Sequence, residues 1–247
     1  MAHVSIVLPS RNTIGTISHA VDCFLNQSHA DKSMVIVDAT STDGTHDLLA
    51  EFTKHPEITW ISEPERGLSH AINLGIASLP EGSIFGYLGA DDFLEPGALK
   101  AVSDHFEAHP DHVGLFFDSY SVRDGEEPSY RACPADNFSK ENLLKYRSVA
   151  GMQNTFLRTD IAKKYPFDES VKLAMDYELF LRLADAGLGE RIVHCPQAST
   201  TNTADGNLSR TFKRASKREA LALALHYAPP GRAKILAWLK YLKYRWV

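Results

Sequence analysis

Ser83-Ile84-Phe85-Gly86-Tyr87-Leu88-Gly89-Ala90-Asp91-Asp92 is the stretch that decides the reading of this chain, and Pro96-Gly97 follows almost at once. Its apolar part is short and bounded by turn residues, as a strand buried on both faces requires. Such a strand delivers Asp91 and Asp92 to its carboxyl end, where open α/β sheets bind ligands. Two adjacent carboxylates in a poorly solvated place repel each other, so something positive belongs beside them. A hard divalent cation, Mg²⁺ or Mn²⁺, itself holding a diphosphate, meets that need. The alternative is a solvated turn in which Asp92 caps the next helix.

Outward from this strand the first half alternates regularly. Runs rich in β-branched residues predict strands over 3–8, 34–37, 58–61, 84–88 and 113–117. Between them, apolar residues at helical spacing predict helices over 16–25, 45–52, 69–79 and 96–106, the last with proline in its first turn. Strands alternating with helices of this length predict βαβ units, an α/β fold and a mainly parallel sheet flanked by helices. After Asp118 the rhythm breaks. The pattern predicts a hairpin or surface loop at 124–128, a strand at 152–157, and helices at 138–146, 160–164 and 176–186. A late strand follows at 191–195, then a polar, mobile stretch at 200–209, and two helices at 210–227 and 232–246 separated by Pro229-Pro230-Gly231.

The bulk properties fit a soluble globular protein. The chain has 247 residues, 44% hydrophobic and 23% charged, enough for one large domain or one domain with an appendage. Cys23, Cys133 and Cys195 are scattered with no CxxC, which predicts reduced thiols and a cytoplasmic setting. No run reaches a membrane span, and the N-terminus goes into a strand without a signal-like core. Net charge is −5, yet residues 210–247 carry ten Lys/Arg against the single acid Glu219. A basic tail on an acidic body points to an anionic surface or ligand.

Several strand ends carry chemistry. Asp38 closes Val35-Ile36-Val37-Asp38 and is placed to accept hydrogen bonds from a base or ribose. Asp43-Gly44-Thr45, just beyond, reads as a turn and helix cap. Pro9-Ser10-Arg11-Asn12 closes the first strand and opens towards the ligand edge, unless it is a plain strand-to-helix turn. Arg66, in Glu63-Pro64-Glu65-Arg66-Gly67, is either a contact to a base or phosphate or a solvated charge beside a turn. Asp176 stands at a predicted helix start, either as its N-cap or as a general base taking a proton from an attacking hydroxyl. Compact histidine spacing, GxGxxG, GxxxxGK[ST] and GxSxG are all absent. That argues against a zinc site, a dinucleotide oxidoreductase, a P-loop NTPase and a serine hydrolase.

Together, in order, these segments resemble glycosyltransferase family 2, with the GT-A (nucleotide-diphospho-sugar transferase) fold. Val4–Asn12 looks like its opening strand, Val37–Thr45 its second-strand signature, and Ser62–Gly67 with Ala71–Gly75 the segment before its metal motif. Leu88–Leu99 is close to its aspartate motif, and Phe167-Asp168-Glu169 with Asp176–Leu183 to its acceptor-side base helix. The resemblance covers roughly 3–200. It implies a nucleotide-binding half at 1–118 and an acceptor half at 119–205, followed by a basic helical appendage at 206–247. It also implies that Pro9, Ser10, Arg11, Asp38 and Arg66 line the nucleotide pocket, with Asp91 near the ribose. Asp92 would hold the Mg²⁺ or Mn²⁺ bridging the diphosphate, and Asp176 would be the catalytic base of an inverting transfer. Departures stand at Ala39, where many members carry an acid or glycine, and at Met152 before Gln153, where many carry histidine. The QxxRW motif of processive members is absent, so the resemblance implies addition of one sugar, in cell-surface polysaccharide or lipopolysaccharide assembly. The alternatives are a sugar-nucleotide nucleotidyltransferase and a non-catalytic nucleotide-sugar-binding module. The first lacks its glycine-rich loop at 9–12, and the second predicts loss of Asp92 or Asp176, both present.

The expected partners are a nucleotide-sugar donor and a glycan or lipid-linked acceptor; nucleic acid is not expected. Ile235, Leu236, Trp238, Leu239, Leu242 and Trp246 interleave with Lys234, Lys240, Lys243 and Arg245. This fits peripheral contact of 210–247 with an anionic membrane, or else a packing or dimer helix.

Overall fold

Val4 to Leu8 are fully buried, and their side chains alternate between two apolar layers. Val4, Ile6 and Leu8 face one layer and Val7 the other, so a continuous apolar run serves both faces of one sheet. The computed structural model describes residues 1–123, 125–147, 149–203 and 212–231. Its sheet runs β3 (Ile58–Ser62), β2 (Lys32–Asp38), β1 (Val4–Ser10), β4 (Ile84–Tyr87), β8 (Thr155–Arg158), β6 (Gly114–Val122), β9 (Ile192–Thr203), β5 (Phe93–Leu94), with β7 (Ser129–Arg131) paired to β6.

The first half is all parallel. β1 (Val4–Ser10) pairs with β2 (Lys32–Asp38) and β4 (Ile84–Tyr87), and β2 pairs with β3 (Ile58–Ser62). The crossovers contain α1 (Ile17–Leu25), α2 (Thr45–Phe52) and α3 (Leu68–Ser78). α3 lies tight on the sheet because Gly75 has no Cβ; one placed there would collide with Val7 and come within 3.3 Å of Val37. That approach sets the start of α3 against the carboxyl ends of β1 and β2.

In the second half β8 (Thr155–Arg158) runs antiparallel between β4 and β6 (Gly114–Val122). β6 then pairs in parallel with β9 (Ile192–Thr203) and antiparallel with β7 (Ser129–Arg131). β5 (Phe93–Leu94) pairs with the end of β9 and leads to α4 (Ala98–Ala108). α5 (Lys140–Tyr146), α6 (Thr159–Lys164), α7 (Met175–Asp185) and α8 (Lys213–Tyr227) complete the described elements.

Several expectations change. β9 is longer than the predicted 191–195 and takes in polar Thr200–Thr203, because β6 and β5 supply its hydrogen-bonding partners. Residues 152–154 form a 3₁₀ turn before β8 rather than part of the strand. Pro96 precedes α4, whose N-cap is Gly97 at φ 79°, so Asp92 does not cap that helix. The second predicted C-terminal helix, 232–246, lies outside the described residues, as does most of the 200–209 stretch beyond Thr203. α8 packs on the body through buried Leu221 and Ala224. Among the described residues no helix is long and apolar enough to cross a membrane, and the three cysteines are free.

Candidate active site

β4 ends at Tyr87, and the chain turns at Gly89 so that Asp91 and Asp92 face back over it. A Cβ on Gly89 would sit 2.7 Å from Asp92 Oδ2 and 3.1 Å from Asp91 Oδ1, so both carboxylates converge on the space glycine leaves. Asp92 is buried, and Thr203 at the end of β9 donates its N–H to Asp92 Oδ1 at 2.9 Å. The Thr203 hydroxyl donates to the Asp91 carbonyl at 2.6 Å. Burial, and then the Asp91 charge, push the Asp92 carboxyl up to about 7; burial also raises Asp91. Two hard oxygens that resist ionisation for want of a counter-charge fit Mg²⁺ or Mn²⁺.

Asp176 is the second residue of α7, not its N-cap; Ala174 holds that position without a side-chain cap bond. Its Oδ1 accepts the Tyr177 N–H at 2.8 Å, and burial raises its carboxyl above the ordinary range. Tyr87 ties this group to the acid pair. Burial first, and then the charges of Asp92, Asp91 and Asp176, raise the Tyr87 hydroxyl above its ordinary value. The three carboxylates therefore share one electrostatic neighbourhood around a residue that the sequence pattern did not single out. Its position as the last residue of the strand bearing the acids was the available signal.

At the ends of β1 to β3 a cavity of about 410 Å³ opens, and Asp91, Asp92 and Asp176 are not among the residues that line it. Pro9, Ser10, Arg11 and Arg66 all line it, with Val37, Ala39 and Pro64 giving apolar wall. Arg11 and Glu65 form an ion pair on this wall. His70, at the start of α3, also lines it and is held by Glu169, with Nδ1 at 3.1 Å from Oε1. His70 was not anticipated, because nothing local distinguishes it from a helix-surface histidine.

Asp38 is not among the residues that line this cavity. Its carboxylate is fully buried and turned into its own loop, away from the cavity lining. Oδ2 accepts the Ser41 N–H at 2.8 Å and lies 2.8 Å from His46 Nε2; Oδ1 accepts the Ser41 hydroxyl at 2.5 Å. Both oxygens are engaged within the β2–α2 loop, which Asp38 organises. Asp43 behaves as a loop residue too, accepting from Thr45 N–H, Thr45 hydroxyl and Ile14 N–H.

A second ligand-type cluster joins Asp118, Cys133 and His194, whose donor atoms lie within 4.8 Å of one another. Its chemistry is that of a closed hydrogen-bond network. Asp118 accepts from Tyr130 hydroxyl at 2.5 Å and Cys133 N–H at 2.6 Å, and lies 2.8 Å from His194 Nε2. The Cys133 thiol donates to the Phe117 carbonyl at 3.2 Å. Burial, then the Asp118 charge, push that thiol up to about 12, so it is protonated in the metal-free cluster.

A mainly parallel sheet with paired carboxylates at the end of β4, extended by a mixed second half, is the GT-A class of fold. The family model for Glycosyl transferase family 2 matches residues 5–164, and the chain belongs to that family. It is 30% identical over 190 residues to the chondroitin synthase of Escherichia coli, covering 74% of this chain but 27% of that protein. It is 27% identical over 187 residues to the putative colanic acid biosynthesis glycosyl transferase WcaA of Escherichia coli K12, covering 73% of this chain and 65% of that one. The chain thus spans about a quarter of the length of the chondroitin synthase it matches. In fold it is similar to S. aureus TarS 1–349 in complex with UDP (TM-score 0.71, 16% identity, 98% of this chain and 70% of that one). It is likewise similar to the mannosyltransferase PcManGT from Pyrobaculum calidifontis in complex with GDP-Man and Mn2+ (TM-score 0.70, 18% identity, 99% and 71%).

Proposed function

We propose that this chain transfers a single sugar, with inversion, from a nucleotide-sugar donor to an acceptor hydroxyl. The observation that carries the reading is the convergence of the Asp91 and Asp92 carboxylates at the end of β4, in the sheet whose β1 to β3 ends open the cavity lined by Pro9, Ser10, Arg11 and Arg66.

Each group then has a task. The apolar walls at Val37, Ala39 and Pro64 suit a flat base, and Arg66 supplies positive charge beside it, Arg11 being paired with Glu65. Asp92, with Asp91 beside it, would hold a divalent cation, which when bound neutralises charge on the diphosphate. Asp176 takes the proton of the acceptor hydroxyl, its raised pKa placing it nearer the working pH of a general base. The hydroxyl oxygen attacks the anomeric carbon from the face opposite the diphosphate, the bond to the diphosphate oxygen breaks, and the centre inverts. One carboxylate base suffices, since the nucleoside diphosphate leaves without protonation. Relatives named for polysaccharide, teichoic acid and colanic acid synthesis support an acceptor in cell-surface glycan assembly. The exposed Lys213, Arg214, Lys217 and Arg218 of α8 support contact with an anionic, lipid-linked acceptor or the membrane bearing it.

Calorimetric titration of UDP-, GDP-, dTDP- and CDP-sugars, with and without Mn²⁺, tests this on wild type and Asp92→Ala. Metal-dependent binding of one donor, lost in the variant, is the expected result. Failure of every donor to bind under either condition overturns it.

A further inference from the structure

The base helix α7 begins with no cap of its own: the Ala174 N-cap offers no side-chain acceptor. The free N–H groups ahead of it are met from elsewhere in the chain. Glu219, on α8, accepts the Lys172 N–H on Oε1 at 3.0 Å. Its Oε2 accepts the N–H of Leu173 and of Ala174, each at 2.7 Å. One carboxylate thus collects three consecutive backbone donors, and its charge sits at the positive end of a helix. α8 is held down in turn by buried Leu221 and Ala224, and by the Tyr227 hydroxyl donating to Glu178 Oε1 at 3.3 Å. Glu178 is itself paired with Arg182 at 2.8 Å within α7.

Among the described residues Asp176 has no comparable anchor. The hydrogen bond given to its carboxylate from another residue is the Tyr177 N–H, one residue on in the same helix. Its place in the cleft therefore follows from where the backbone of 172–174 is fixed, and Glu219 fixes it.

We propose that Glu219 is a positioning residue for the transfer reaction, acting through the 172–174 backbone to hold Asp176 at the acceptor hydroxyl. This rests on Asp176 serving as the base. It gives α8 a part in the chemistry and not only in packing or surface contact.

The test compares full-length wild type, Glu219→Gln, Glu219→Ala and Asp176→Asn. Turnover is read as nucleoside diphosphate release from the four sugar nucleotides above with Mn²⁺, normalised to folded protein by circular dichroism at the assay temperature. Amide hydrogen exchange across 170–180 is read without any donor. The expected result is a kcat ordered Glu219 > Gln > Ala, with Ala down about tenfold or more, and donor Kd unchanged within twofold. The acid limb of the kcat–pH profile moves down in the Ala variant as water reaches Asp176. Exchange at 173–176 speeds up at least tenfold while the core strands keep their protection. Unchanged kcat and pH profile in Glu219→Ala, or a fall in donor affinity that matches the fall in kcat, overturns the proposal. So does unaltered exchange at 173–176. If Glu219→Ala does not fold, Glu219→Gln carries the same readouts. Full activity in Asp176→Asn sinks the base assignment instead. Where wild type releases no nucleoside diphosphate with water as the only acceptor hydroxyl, the exchange data alone decide whether Glu219 fixes the loop.

Discussion

Thr203 clasps Asp92: its backbone N–H reaches Oδ1 at 2.9 Å across 111 positions of sequence, while its hydroxyl holds the Asp91 carbonyl at 2.6 Å. The last residue of β9 thus orients one acid through its carboxylate and the other through its backbone. Thr203→Val keeps the N–H and deletes the hydroxyl. It should lower stability by about 1 kcal/mol, the usual net worth of one such bond, and weaken Mn²⁺ binding severalfold. Urea unfolding and Mn²⁺ titration check both effects.

Asp92 should make the metal-free protein less stable at alkaline pH. Its folded pKa, about 7, lies above its ordinary value of 3.8. The folded state therefore binds more protons than the unfolded state between those values, and stability falls as pH rises through them. Asp92→Asn removes that loss, so the variant should be more stable than wild type at pH 8 by up to a few kcal/mol and no more stable at pH 4. Thermal melts in EDTA give the comparison, and Mn²⁺ should restore wild type alone.

Asp118 should act in the opposite direction. Burial alone would raise its carboxyl, but hydrogen bonds from Tyr130, Cys133 and His194 outweigh burial and hold it below the usual range. Its contribution is present above the ordinary carboxylate pKa and lost as pH falls through the lower folded value. Asp118→Asn should cost roughly 1–3 kcal/mol at pH 7, with the deficit shrinking in acid. Denaturant curves at pH 7 and pH 3 measure it.

Asp38→Asn should separate loop architecture from ligand recognition. The substitution leaves the Ser41 and His46 groups imperfectly matched in a buried place, at about 1–3 kcal/mol. Nucleotide affinity should change less than threefold at temperatures where the variant is folded. A large, base-selective loss of affinity would instead put Asp38 in contact with the ligand.

Asp176→Asn should cut kcat by about 10²- to 10⁴-fold, the usual worth of a general base, and leave donor Kd near wild type. In wild type, kcat should rise with pH through a value above the ordinary carboxylate range, because burial raises the base. Steady-state rates across pH 4–8 give both.

The parallel half of the fold was legible because its strands are apolar on both faces and its helices keep a clean period; α2 runs Thr45–Phe52 as the pattern predicts. β5 was not legible, since two residues carry no period. The polar end of β9 reads as loop in sequence, and only its pairing with β6 and β5 makes it strand. Strand-end position pointed to Pro9, Ser10, Arg11 and Arg66, which line one cavity, and to Asp91 and Asp92, whose carboxylates converge at Gly89. The inward turn of Asp38 depends on His46, a partner eight positions on that strand-end logic does not weigh. Glu219 stood out as the single acid in a basic tail, yet its three backbone partners lie about 45 residues away.

The family match ends at residue 164, short of Asp176, Thr203 and Glu219. A fragment cut after Thr203 would keep the acid pair and the base but leave Lys172, Leu173 and Ala174 without their acceptor. The smallest piece that keeps these bonds therefore reaches through α8, and a boundary drawn at residue 164 would remove α7, the β9 strand that pairs with β6, and the Thr203 clasp on Asp92.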